Sequence, residues 1–322
     1  MPLMNIFIGY NSALEYWKLH DRDSRQAESQ AVPSPKSIPY VEALSEIAKH
    51  RICGRPIHLV VSEKRNRRNN SNFTTHIESK HIKRSYLDLG REIYLARPEL
   101  CLLQMAQSLS VPEIAEIGCE LCGDYSIDPL SKESDLLKLH PRTTAESILL
   151  FGERISGLKG CSNYRKAAKF IANRSASPRE TQLMLLLCLP SHSGGYGLPM
   201  PKFNEPIGNG KFRCDLFWPD AKLALEYDSD MFHSGAEKIN RDSARRSSLE
   251  ALGVHVVSVT SRQVNNPAEL DKLAHIVGSK LGKRLRISMQ DAERKRMLLR
   301  SNLLEKSYGT MQLTSGICLI PT

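Results

Sequence analysis

The sequence predicts a mixed α/β (α+β) protein in which a mixed sheet flanked by helices fills most of the second half and a smaller α/β domain precedes it. Two observations carry this. Between residues 175 and 287 the patterns run helix, strand, strand, helix, strand, helix, with the first two strands close enough for a hairpin and the third reached across a helix. The length of 322 residues suggests two domains, and 41% hydrophobic with 25% charged residues is ordinary for a soluble globular chain.

The elements of the first half are read in order. Asn11–Leu19 places Leu14, Trp17 and Leu19 on one stripe of a short helix. Residues 21–39, polar and holding Pro33, Pro35 and Pro39, read as a loop. Pro56–Val61 reads as a strand, and Lys64 to Asn70 then supplies a basic turn. Pro98 and Pro112 each sit where a first helical turn tolerates proline, giving helices near 98–108 and 112–123, and 128–146 reads as loop.

In the second half Ser177 caps a helix with Pro178 next to it, and Leu183, Leu186 and Leu187 give that helix one buried face. The glycine-rich run 193–197 is a loop, with a further strand expected near 198–205. Phe212–Trp218 and Leu223–Tyr227 form the hairpin, Lys238–Leu252 a helix stopped at Gly253, Val254–Val259 a buried strand and Pro267–Leu281 a closing helix. A basic amphipathic stretch, Asp291–Leu304, precedes an uninformative tail. The domain reading is therefore 1–145, a linker helix region 146–174, a core 175–287, and a basic helix with tail 288–322.

Composition narrows the function classes. Eight cysteines lie scattered without a disulfide framework, and the first residues lack the basic-then-apolar pattern of a secretory leader, so a reducing cytoplasm is the expected compartment. No apolar run approaches the roughly 18 residues a membrane span needs. The net charge of +10 favours an anionic partner and is concentrated. Residues 51–97 hold eleven Lys and Arg against four Asp and Glu, and residues 280–300 hold eight against two. Two such clusters flanking one groove would neutralise phosphates, whereas the bland alternative is two solvated faces.

Hydrolysis of a phosphodiester near neutral pH calls for a divalent cation held by one or two carboxylates. Counting outward from a two-residue turn at Asp220-Ala221 puts Asp215 opposite Glu226, where cross-strand Cβ atoms stand roughly 4.5–5.5 Å apart. Strand alternation adds Asp228 to the face of Glu226, and Glu180 opens a helix able to pack beside it. The plain alternative is a polar face of solvated acids. His233 follows the second strand and suits proton transfer, against the plainer reading of an exposed loop histidine. Arg241, Arg245 and Arg246 lie on the next helix, placed to hold phosphates unless Arg246 only pairs with Asp242.

The run Asp215-x10-Glu226-Tyr227-Asp228, then His233, Asp242, Arg245, Leu249, Leu252, Gly253 and the strand Val254–Val259, resembles the very-short-patch-repair-like endonuclease domain of the PD-(D/E)xK superfamily. The resemblance implies a restriction-endonuclease-like mixed sheet and a Mg2+-dependent endodeoxyribonuclease, with Mn2+ as substitute. It implies that Asp215, Glu226 and the backbone carbonyl of Tyr227 bind the metal, that Glu180 supports them, and that His233 stands near the water. Asp228 fills the place where the superfamily norm has lysine. The segment Ser12–Leu19, the strand Ile57–Val61, the basic turn with Lys64, Arg65, Arg67 and Arg68, and Gly90–Pro98 are similar to chains that join an AbiEi-type antitoxin or regulator region to such a domain. DNA is the implied partner, with a homodimer or a cognate toxin as further candidates in a phage-defence setting. The alternative is a non-catalytic DNA-binding regulator or antitoxin.

Cys119-x-x-Cys122 has zinc-ligand spacing but no second pair, so two core thiols are expected. No phosphate-binding loop and no nucleophile elbow is present in the sequence.

Overall fold

The computed structural model describes residues 5–21, 43–67, 69–78, 80, 82–228, 236–285 and 290–304, of which 43, 236–242 and 290–292 are described by backbone alone. The protein is mixed α/β, with eleven α-helices and three sheets among these residues. It divides into two compact units at Lys169/Phe170.

The first unit runs β1 (Ile6–Ile8), α1 (Tyr10–Leu19), α2 (Ala43–Ala48), β2 (Ile57–Val61), β3 (Phe73–Ile77), β4 (Tyr86–Asp88), β5 (Ile93–Ala96), α3 (Pro98–Met105), α4 (Val111–Leu121), β6 (Tyr125–Ile127), β7 (Leu136–Lys138), α5 (Ala145–Arg154) and α6 (Cys161–Ala168). A five-stranded sheet has the order β3-β2-β1-β5-β4, with β1 parallel to β5 and antiparallel to β2. Trp17 of α1 is buried and its Nε1 donates to Ala96 O at 2.8 Å, tying the helix to β5. Ser110 and Glu113 close a capping box at the start of α4, which fixes where that helix begins.

The stretch 128–146 is more ordered than its polar composition predicts. Leu136–Lys138 pairs with Tyr125–Ile127, and α5 starts at Ala145 behind Thr144, whose side chain accepts from Ser147 N. The cause is a non-local contact. Arg142, 1% exposed, donates to the carbonyl oxygens of Glu120 and Tyr125, satisfying the end of α4 from the loop. Cys119 and Cys122 are both buried in or at the end of α4, and burial raises the Cys122 thiol well above its ordinary value. The polar segment 22–42 lies outside the described residues.

The second unit runs α7 (Pro178–Cys188), β8 (Lys202–Ile207), β9 (Phe212–Trp218), β10 (Leu223–Asp228), α8 (Ala236–Ala251), β11 (His255–Thr260), α9 (Ser261–Asn265), α10 (Pro267–Lys280) and α11 (Gln290–Leu304). Its sheet has the order β11-β10-β9-β8, antiparallel except for the β10–β11 pair. Lys222 N donates to Pro219 O at 3.0 Å, and the two-residue turn sets the register Trp218↔Leu223, Phe217↔Ala224 and Leu216↔Leu225. The parallel β10–β11 pair needs the crossover that α8 supplies, and Gly253, at φ 77°, provides the left-handed residue that stops the helix. Thr260 and Gln263 then form a capping box that starts α9.

Helix α7 differs from its one-faced prediction. Pro178 and every residue from Glu180 to Cys188 are buried. The reason is α11, which falls on the basic amphipathic stretch read from the sequence and packs against α7. Gln182 Nε2 donates to Leu303 O at 2.5 Å, and a Cβ added at Gly194 would meet Lys295 O at 2.3 Å. On the sheet Cys214, Phe217, Ala224, Leu249 and Val254 share one apolar cluster, and Leu223, Ala224 and Leu225 are all buried, as expected for a central strand covered on both faces. The second half of β10, Glu226-Tyr227-Asp228, is half-buried. The chemistry-bearing residues thus stand at the C-terminal end of the central strand.

Candidate functional site

The β9–β10 pairing ends at Leu216↔Leu225. One step further, where Asp215 and Glu226 would face each other, the side chain of Asp215 replaces the strand contact: Tyr227 N donates to Asp215 Oδ2 at 2.7 Å. Asp215 therefore sits beside Glu226, and the second carboxylate raises the pKa of the first. Burial is the larger cause of that rise, while the Tyr227 N–H and the Arg245 charge oppose it. Glu226 is met by Arg245, whose Nη1 and Nη2 stand 2.7 and 2.6 Å from Oε1. The same guanidinium donates to Arg213 O at 2.5 Å. Arg245 comes from α8, so the crossover helix delivers a cation to the strand end.

Glu180 approaches Asp215 from a third element. It is the third residue of α7, 7% exposed, and its carboxyl is pushed up to about 7, first by burial and then by the charge of Asp215, against its own hydrogen bonds. Oε2 accepts from Ala176 N at 3.0 Å and Oε1 from Ser177 Oγ at 2.9 Å. Ser177 Oγ in turn accepts from Glu180 N at 3.2 Å, so the helix cap and the site share these atoms. On β9, the Cys214 thiol is raised to about 12 by burial and then by Glu226.

The other expected site residues are placed as follows. Tyr227 pairs with Val259 and Asp228 with Thr260 across the parallel ladder, Asp228 being half-buried at the strand end. Arg246 donates to Ser258 Oγ at 2.7 Å on an exposed face. Arg241 lies on α8 within its backbone-only stretch, and His233 and Arg68 fall outside the described residues. Lys64 and Arg65 lie in a short 3-10 turn, Lys64–Asn66, that Arg67 closes, and Arg65 pairs with Glu63 at 2.5 Å on the surface of the first unit. Among the described residues no three His, Cys, Asp or Glu side chains converge to hold one ion, so Asp215, Glu226 and Asp228 do not form the three-carboxylate cluster that strand alternation suggested. Alternation fixes a side, but the peeling of β10 from β9 beyond Leu225 sets how near the tips come.

Asn204 is a contributor that sequence reasoning missed. Its Nδ2 donates to Arg174 O at 2.9 Å and reaches Glu180 Oε2 at 3.4 Å. Its φ of 48° is left-handed, and the β8–β9 pairing skips it between Phe203↔Leu216 and Glu205↔Cys214. An asparagine inside a predicted strand, the residue type that best tolerates such a backbone after glycine, was the available signal.

No family model matches the chain, and no solved structure matches it. Two uncharacterized proteins of Mycobacterium tuberculosis, Rv2248 of strain H37Rv and MT2308 of strain CDC 1551, are each 32% identical to it over 106 residues, 32% of this chain. The match spans 37% of the length of those relatives.

Proposed function

We propose that the protein is a metal-dependent DNA endonuclease whose centre lies at the end of the β9–β10 hairpin. The observation that supports this best is the meeting of Asp215 and Glu226 from the two arms of the hairpin, with Glu180 raised by Asp215's charge and Arg245 as the counter-charge. A protein gains no stability from setting Glu226 where its charge raises the Asp215 carboxyl, or Asp215 where its charge raises Glu180, so a cation is the reason to gather them. The donor chemistry fits Mg2+ or Mn2+: hard carboxylate oxygens, one or two per ion, with room for water at half-buried residues.

Asp215 and Glu226, with the carbonyl of Tyr227, would hold the ion. When bound there it supplies Lewis-acid polarisation of a phosphate and a lowered pKa for a water. The chain's own groups do the rest. Glu180 braces Asp215 and, titrating near 7, sets how much negative charge the site carries at physiological pH. Arg245, Arg246 and Arg241 on α8 position the phosphates, Asp228 lines the same strand end, and His233 transfers a proton. In the first unit Lys64, Arg65, Arg67 and Arg68 add sequence-independent phosphate contacts. Among the described residues no helix is long and apolar enough to cross a membrane. Incubating the full chain with supercoiled plasmid, with Mg2+, with Mn2+ and with chelator, tests the reading: nicking that requires the metal is expected, and none with either metal overturns it.

A second reading has its own support. A non-catalytic DNA-binding regulator or antitoxin, working as a homodimer or with a cognate toxin, needs no ion, and Arg245 already neutralises Glu226. Tight DNA binding without cleavage would favour it.

A further inference from the structure

We propose that Arg245 is a latch that makes metal binding precede DNA binding: its guanidinium holds Glu226 until a divalent cation displaces it, and then takes a phosphate of the DNA. The inference rests on the nuclease reading and deepens it by naming how the site is regulated. Both Nη1 and Nη2 lean on one oxygen, Glu226 Oε1, at 2.7 and 2.6 Å, so the cation that the paired acids call for is at present this side chain. A guanidinium and a divalent cation on one carboxylate repel each other, and the ion's entry requires the arginine to leave.

Three features make the exchange reachable. The pair is open to solvent, with Arg245 and Glu226 side chains 33% and 27% exposed. One guanidinium does not neutralise both Glu226 and an ionised Asp215, which keeps the place attractive to a cation and repellent to a phosphate. The second mooring of Arg245, Arg213 O, is a neutral carbonyl. Once released, Arg245 stays on α8 next to Arg246, and its planar fork matches a phosphate as well as it matched the carboxylate. Metal and DNA are then coupled, each raising the affinity for the other.

The test uses the full chain and two probes. Mn2+ affinity is read by calorimetry, and binding of a fluorescent duplex by anisotropy, in Ca2+ and in chelator, for wild type, Arg245→Ala and Arg245→Lys. Arg245→Ala is expected to bind Mn2+ about tenfold tighter and to show a smaller Ca2+-dependent gain in DNA affinity than the wild type's, which is about tenfold. Arg245→Lys, which keeps the charge, should keep the wild-type Mn2+ affinity. If the alanine variant fails to fold by its melting curve, Arg245→Gln carries the same expectation. Equal or weaker Mn2+ binding by the uncharged variants overturns the latch, and a Ca2+ gain in DNA affinity as large as the wild type's overturns its phosphate half. Absence of Mn2+ binding in all of the proteins overturns the latch and the nuclease reading together. Tighter Mn2+ binding by the variants without any cleavage by wild type leaves the latch standing and removes only the nuclease.

Discussion

Glu180→Gln should stabilise the second unit at alkaline pH. The Glu180 carboxyl is carried from 4.5 to about 7 by burial and by Asp215. With the folded value above the unfolded one, the folded state binds the extra proton between these two pH values, so stability falls as pH rises through that window. A rise of this size is on the order of 3 kcal/mol lost by pH 8.5 relative to pH 4. Glutamine stays neutral throughout and the cage accepts it: its oxygen can take Ala176 N and Asn204 Nδ2, as Oε2 does now, while its amide donates to Ser177 Oγ. Allowing about 1 kcal/mol for imperfect hydrogen bonding at every pH, the variant should gain roughly 2 kcal/mol at pH 8.5 and lose up to about 1 kcal/mol at pH 4.5. Urea unfolding at both pH values, in a Trp17→Phe background so that Trp218 alone reports, measures this. A variant less stable than wild type at pH 8.5, with the same pH slope, would refute the burial argument.

Four further outcomes are expected. Asp215→Asn should abolish cleavage, keep or improve DNA binding without metal, and move the Glu180 pKa down, read by carboxyl carbon NMR; Glu226→Gln should match it in cleavage, and residual metal-dependent nicking by either would count against the assignment. His233→Ala should slow cleavage roughly 10²–10⁴-fold with Mn2+ binding intact, so loss of metal affinity would contradict a proton-transfer role. Charge reversal at Lys64, Arg65, Arg67 and Arg68 together should weaken binding to all duplexes alike and flatten the salt dependence, whereas unchanged affinity returns that turn to a solvated surface. Gly195→Ala should destabilise the second unit by more than about 3 kcal/mol in urea unfolding, because the added Cβ would stand 2.0 Å from Leu189 O, a backbone atom that cannot move alone; an unaltered midpoint would contradict that close approach.

The amino-acid order alone determined what depends on near neighbours. Turn length at Asp220-Ala221 set the hairpin register, and with it that Asp215 and Glu226 belong at the same place on the two arms. Ser177, Pro178 and Gly253 marked helix ends that the structure keeps, because caps act over three or four residues. Only the tertiary structure decided the rest. It brought α11 onto α7 and buried most of that helix, and burial is the first cause that lifts the Glu180 carboxyl to about 7. It set Arg245 on Glu226 and Arg246 on Ser258, a choice between adjacent arginines that rests on how α8 is rotated against the sheet. It also released β10 from β9 after Leu225, so that Tyr227 N–H turned to the Asp215 carboxylate. Burial, helix rotation and ladder fraying are sums over contacts distant in sequence, and they fix which charges meet; local pattern fixes only which charges are available.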